Sequence, residues 1–88
     1  MAAALAYPED VWAYNSDATT EQAREGIAAA ERWVLENAPY LELMSYPPLA
    51  AREAVALLAA IHVDDKTAIR TGKGAIPNMV RLMILPWA

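Results

Sequence analysis

"AVALLAAI" at residues 54–61 is an uninterrupted run of eight apolar residues. At helical spacing these side chains cover every face, and a helix that is apolar all round is surrounded by other elements. Pro47 and Pro48 suit the first turn of this helix, and Gly72 is a typical terminator. The sequence therefore predicts a long central helix over about residues 48–71.

An amphipathic helix is predicted before the central one, over about residues 20–37. Thr19 and Gln22 have the spacing of a capping box, in which each side chain bonds to a backbone N–H of the other residue, and Pro39 favours an end just before it. One apolar stripe recurs at intervals of three and four residues: Ala23, Ile27, Ala30 and Val34. We expect the core to combine Ile27 with residues of the central helix: Leu57, Leu58 and Ile61.

Gly26, Ala29 and Trp33 lie along the border of that stripe at positions i, i+3 and i+7. Glycine inside a helix costs roughly 1 kcal/mol relative to alanine, so its presence here indicates that another helix approaches closely. Two interpretations stay open. A neighbouring copy of the chain contacts this edge, with Arg81 contributing to the subunit contact, or the edge belongs to the core of the same chain.

Short segments complete the predicted bundle. Pro8 sits at a favourable first helical position, with two acidic residues near the positive end of the helix dipole, so a short helix is predicted from Pro8 to Tyr14. The link at residues 39–50, "PYLELMSYPPLA", is predicted as a stiff connection because prolines cannot donate to a strand ladder. We therefore expect an all-α fold and a single domain over residues 1–88, with a helical body over about 8–71 and a docking tail over about 72–88.

"IPNMVRLMILPW" at residues 76–87 is an apolar segment close to the end of the chain. Terminal segments are poorly ordered unless something holds them, so we expect a short helix or docking tail completed partly by a partner. The predicted docking residues are Ile76, Pro77, Met79, Val80, Met83, Leu85, Pro86 and Trp87. Removing residues 76–88 is then expected to leave a folded helical protein that no longer joins its partner.

The residues give little support to catalysis. The chain has no cysteine, which excludes disulfides and thiolate metal sites. His62 and Asp65 share a helix face at i, i+3, but two ligands do not make a metal site, and "TGKG" at residues 71–74 lacks the spacing of a phosphate-binding loop. We expect no enzyme activity, no catalytic residues, no metal and no cofactor.

The charge is unevenly distributed. All eleven acidic residues lie within residues 1–65, whereas residues 66–88 hold four of the seven basic residues and no acid. The acidic body argues against nucleic acid as the main partner. The contrast suits head-to-tail contacts between copies or docking on an acidic partner, although basic residues also keep an apolar tail soluble. We expect no membrane span and no secretory signal.

The order of these parts resembles the phage head-tail connector family, the small adaptor or head-completion proteins. The long helix in that family often ends in a pattern close to Ala-apolar-Trp-Tyr-Glu-Asn-Arg, which "AIHVDDK" at residues 60–66 follows in part. Its chains close near Pro-x-Gly-Val-x-x-Leu-Leu-x-Pro-Tyr-Arg, and residues 76–87 follow the proline, valine, leucine and proline-aromatic positions. The resemblance covers most of the chain.

The resemblance implies a structural role in a virion. Members are small helical bundles that assemble as a ring, usually twelvefold, beneath the portal protein, extend the DNA channel and offer a platform for the tail or the next head-completion protein. DNA then passes through the channel without specific binding, which an acidic wall favours. The expected location is the head-tail interface of a tailed phage or gene-transfer agent, reached from the host cytoplasm during assembly.

A different class of protein is the alternative. A small helical binding or regulatory module would use the same C-terminal segment as its own dimer interface. A stable dimer of the isolated chain favours this alternative, whereas a monomer or a large ring favours the connector.

Overall fold

Five α-helices and two short 3₁₀ helices are present in the computed structural model, which describes residues 5–71 and 76–88. The α-helices are α1 (Pro8–Trp12), α2 (Thr20–Asn37), α3 (Leu49–Asp64), α4 (Ala68–Thr71) and α5 (Asn78–Ile84). The first 3₁₀ helix spans Pro39–Leu43 and the second spans Leu85–Trp87. No strand occurs within the described ranges, so the predicted all-α fold class is confirmed. The expected glycine turn falls at residues 71–74, of which 72–74 lie outside the described residues.

The start of α2 follows from its cap. Gln22 N–H donates to Thr19 Oγ1 at 3.1 Å, and Thr19 N–H donates to Gln22 Oε1 at 2.9 Å. This capping box satisfies two backbone groups that the first turn leaves without helical partners. The helix ends at Asn37, before Pro39 begins the first 3₁₀ helix. Both predicted bounds of α2 are therefore confirmed.

The predicted helix over 48–71 is interrupted. Asp65 has an extended backbone (φ −144°, ψ 98°), and its Oδ1 accepts hydrogen bonds from Thr67 N–H at 3.0 Å and Thr67 Oγ1 at 2.7 Å. Short polar side chains that bond to nearby backbone compete with the helix in this way. The chain consequently ends α3 at Asp64 and resumes as α4.

α3 is the central helix, as its apolar run predicts. It packs against α1, α2, α4 and α5, and its fully enclosed residues include Val55 and Leu58. Of the other expected core residues, Ile27 is buried, whereas Leu57 and Ile61 are only half-buried. Over the ranges that the structure describes, none of the helices is both long and apolar enough to cross a membrane.

Two helices approach each other closely at Gly26. A Cβ at this position would lie 2.7 Å from the carbonyl oxygen of Ala59 and 3.1 Å from its Cα. The helix that approaches Gly26 is thus α3 of the same chain. Of the two open interpretations, the structure supports the second for Gly26: it is buried in the core of its own chain, so its inclusion in a contact between copies was wrong.

Polar contacts attach α1 to α3. Arg52 Nε and Nη2 donate to the two carboxylate oxygens of Asp10 at 3.1 and 2.9 Å, and Tyr7 N–H donates to Asp10 Oδ2 at 2.8 Å. Trp12 Nε1 donates to the carbonyl oxygen of Ala18 at 2.9 Å. With Val11 fully buried between the helices, these bonds fix the N-terminal segment to the body.

Candidate interaction surface

One side of the α5 segment belongs to the core. Ile76, Val80 and Ile84 follow one another at intervals of four residues and are at most 5% exposed. Residues four apart lie on one helix face, and this face is turned toward the body, where α5 packs against α3. The C-terminal segment is therefore docked on its own chain through these three side chains.

The outer side of α5 is also apolar. Met79, Leu82 and Leu85 are 56%, 59% and 62% exposed. Their spacing of three residues places them along one face of the helix and its 3₁₀ extension. We call these three residues the α5 stripe. Large apolar side chains grouped in this way mark surfaces that bind other molecules.

The predicted docking residues are divided between these two sides. Met79 and Leu85 lie in the α5 stripe, Pro86 is exposed, and three others are half-buried: Pro77, Met83 and Trp87. Ile76 and Val80 were predicted to dock on a partner, but they are core residues because the body of the same chain covers them. Leu82 was missed, although its spacing from Met79 would have identified it.

The first 3₁₀ helix adds exposed apolar side chains beside the second. The two 3₁₀ helices pack against each other, and Leu41 is fully buried beneath the first. Tyr40 and Leu43 are 60% and 80% exposed. The sequence predicted only a stiff connection for this link, because its prolines cannot donate to a strand ladder.

Trp33 and Arg81 meet within the chain. The guanidinium carbon of Arg81 lies 5.2 Å from the centroid of the Trp33 ring, within the range of a cation–π interaction. Trp33 packs against the core, and Ala29 is half-buried one turn before it. Three residues of the predicted subunit contact therefore lie close together: Ala29, Trp33 and Arg81. Their role in a contact between copies stays a prediction.

The two carboxyl groups with a lowered pKa, those of Asp10 and Asp65, accept hydrogen bonds that hold the local fold. Burial raises the pKa of Asp10, but the hydrogen bonds from Arg52 and Tyr7 outweigh it, and the pKa is lowered overall. Hydrogen bonds from Thr67 lower the pKa of Asp65. No group of three or more histidine, aspartate or glutamate side chains within residues 5–71 and 76–88 is placed to hold a metal ion.

Comparison of the chain with models of known protein families, with curated proteins and with solved structures found no significant match.

Proposed function

We propose that this chain is a structural connector of a tailed-phage or phage-like particle. It forms a ring beneath the portal protein, extends the DNA channel and joins the head to the tail. The observation that carries the proposal is the α5 stripe, which stays exposed although the opposite side of the same short helix is packed in the core. The order of sequence elements and the acidic charge of residues 1–65 support the choice of a connector.

The α5 stripe is the proposed contact with the portal protein. Exposed apolar side chains gain free energy when a partner removes them from water, by roughly 25 cal/mol per Å². Three side chains are few for a stable interface, which typically uses about 20–30 residues on each side. We therefore include the neighbouring Tyr40 and Leu43 in the docking surface.

Affinity purification from particle-producing cells tests the contact. The tagged chain is isolated and its partners are identified by mass spectrometry, in parallel with Leu82→Gln/Leu85→Gln. The matched control is Leu49→Gln, because Leu49 is 69% exposed on a different helix. We expect the unaltered chain and the control to recover a portal protein, and the double variant to lose it.

Two results would contradict the proposal. If the unaltered chain brings down no portal, capsid or tail protein, the connector is wrong. If it instead sediments alone as a stable dimer that Leu82→Gln/Leu85→Gln dissociates, the chain is a homodimerising module. Circular dichroism of each variant verifies that the helices remain.

A further inference from the structure

A cavity of about 490 Å³ that is open to solvent on one side is lined by none of the α5 stripe residues. Residues of the C-terminal half of α2, the end of α3 and the segment through α4 line it. Its volume falls within the range of roughly 300–1,000 Å³ that is typical of small-molecule sites. It shares no residue with the proposed docking surface, but its lining includes Ala29 and Trp33 of the predicted subunit contact.

The walls of the cavity are basic in an otherwise acidic protein. Arg32, Lys66 and Arg70 line it, and Glu36 is the single acidic residue among its lining. Lys66 Nζ lies 3.6 Å from Glu25 Oε1, outside the cavity. Neither arginine forms an ion pair with a described residue. Within the part of the chain that the structure describes, these two guanidinium groups are therefore available to bind an anion.

His62 supplies a second, independent observation. It lines the cavity, is only 8% exposed, and its imidazole makes no hydrogen bond with any residue in the described ranges. Buried polar groups normally have a partner. No fully enclosed side-chain nitrogen within the described ranges lacks one, so the imidazole nitrogens of His62, a residue of the cavity lining, keep some exposed surface. Asp65, its electrostatic neighbour, lies outside the lining.

The cavity also has an apolar wall. Trp33 and Ile69 line it and are half-buried against the core. Arg81 lies against the Trp33 ring and adds positive charge nearby. An apolar wall that includes the Trp33 indole suits the organic body of a ligand, and the two arginines beside it suit a compact anionic group, because the guanidinium fork matches phosphate oxygens in bidentate geometry.

We propose that this cavity binds a phosphate monoester with a planar organic body, of the chemical class of a nucleoside 5′-monophosphate. Arg32, Arg70 and His62 bind the phosphate, and Trp33 with Ile69 contacts the planar body. The inference goes beyond the connector role and does not depend on it.

NMR titration of the full ¹⁵N-labelled chain tests the site. The probes are adenosine 5′-monophosphate, adenosine and inorganic phosphate, each at low ionic strength. We expect saturable shifts of the Trp33 indole N–H signal with the monophosphate, at an affinity at least roughly tenfold above that of either fragment. Arg32→Ala/Arg70→Ala should weaken binding at least roughly tenfold. Both arginines are exposed, so the variant should keep the wild-type spectrum.

Arg24→Ala is the matched control, because Arg24 is exposed on the same helix but does not line the cavity. Its affinity for the monophosphate should equal that of the wild type. An equal loss in Arg24→Ala would overturn the proposal by showing general charge attraction. Absence of saturable shifts with the monophosphate up to about 10 mM, or equal affinity for inorganic phosphate alone, would overturn it as well.

Discussion

Gly26 shows how a single hydrogen atom in place of a methyl group sets the distance between two helices. The nearest neighbours of a methyl group introduced there would be backbone atoms of Ala59, which cannot rotate away as a flexible side chain can. In the main core cluster of the described residues, nine of nineteen members are alanine, so small side chains allow close packing elsewhere too. Glycine at this position therefore compensates its low helix propensity through packing.

Gly26→Ala should lower the free energy of unfolding. Overpacking typically costs about 1–3 kcal/mol, while the gain in helix propensity is about 1 kcal/mol, so a net loss of up to about 2 kcal/mol is expected. Urea denaturation measures it. Ala28→Ser at an exposed position of α2 is the control and should stay within about 0.5 kcal/mol of wild type. If Gly26→Ala were as stable as the wild type, α2 and α3 would have to move apart enough to accommodate the methyl group without a loss of free energy.

Asp10 should make stability depend on pH. Its pKa is lower in the folded chain, since the hydrogen bonds from Arg52 and Tyr7 outweigh the effect of burial. A lowered folded-state pKa contributes stability above the ordinary value of 3.8, and this contribution is lost as pH falls through the folded-state value. Between about pH 5 and pH 2, thermal melts of Asp10→Asn should therefore lose less stability than those of wild type.

Asp17→Asn provides the comparison for Asp10→Asn. Asp17 is exposed and its carboxylate forms none of the ion pairs found in the described residues. This variant should reproduce the acid sensitivity of the wild type, part of which comes from the lowered pKa of Asp65. Parallel pH profiles for Asp10→Asn and wild type would show that the pair with Arg52 contributes nothing to acid sensitivity.

Substitution by alanine should lower the free energy of unfolding on the buried side of α5 and leave it almost unchanged on the exposed side. Ile84 is 2% exposed against the core, so Ile84→Ala should cost about 2–5 kcal/mol. Leu82 is 59% exposed, so Leu82→Ala should stay within about 0.5 kcal/mol of wild type. Urea denaturation of both variants measures the difference. An equal cost would mean that α5 does not hold the orientation described.

The docked side of α5 also changes what truncation is expected to do. Removing residues 76–88 takes Ile76, Val80 and Ile84 out of the core, and each buried apolar side chain of this size contributes roughly 1.5–3 kcal/mol. The sequence-based expectation of a stably folded truncated chain is therefore weakened. Substitutions in the α5 stripe separate docking from folding more cleanly.

Local signals account for the elements that sequence reasoning identified. The capping box at Thr19 and Gln22 set the start of α2, and the all-round apolar run identified α3 as central. The break at Asp65 was missed because the turn depends on a side-chain bond to Thr67, which competes with an otherwise continuous helical pattern. Periodicity thus predicted which segments are helical better than where they end.

The whole bundle determines which apolar residues remain outside. The sequence of residues 76–87 indicated an interaction segment, but it did not show that the body would cover Ile76 and Val80 while leaving Leu82 exposed. The sequence did not predict the cavity beside Trp33 either, because two of its basic residues, Arg32 and Arg70, lie on different helices. Sites assembled from distant segments depend on helix packing, and spacing within one helix does not reveal them.

Every aromatic ring of this protein lies at least partly on the surface. The chain has three tryptophans, four tyrosines and no phenylalanine, and none of these rings is among the fully buried side chains. Its ultraviolet absorption and emission therefore report mainly on the outer faces of the bundle, with Trp33 and Trp87 at the margin of its alanine-rich interior. A neighbour that arrives on these faces changes the surroundings of the rings directly, and will therefore register in the protein's own fluorescence.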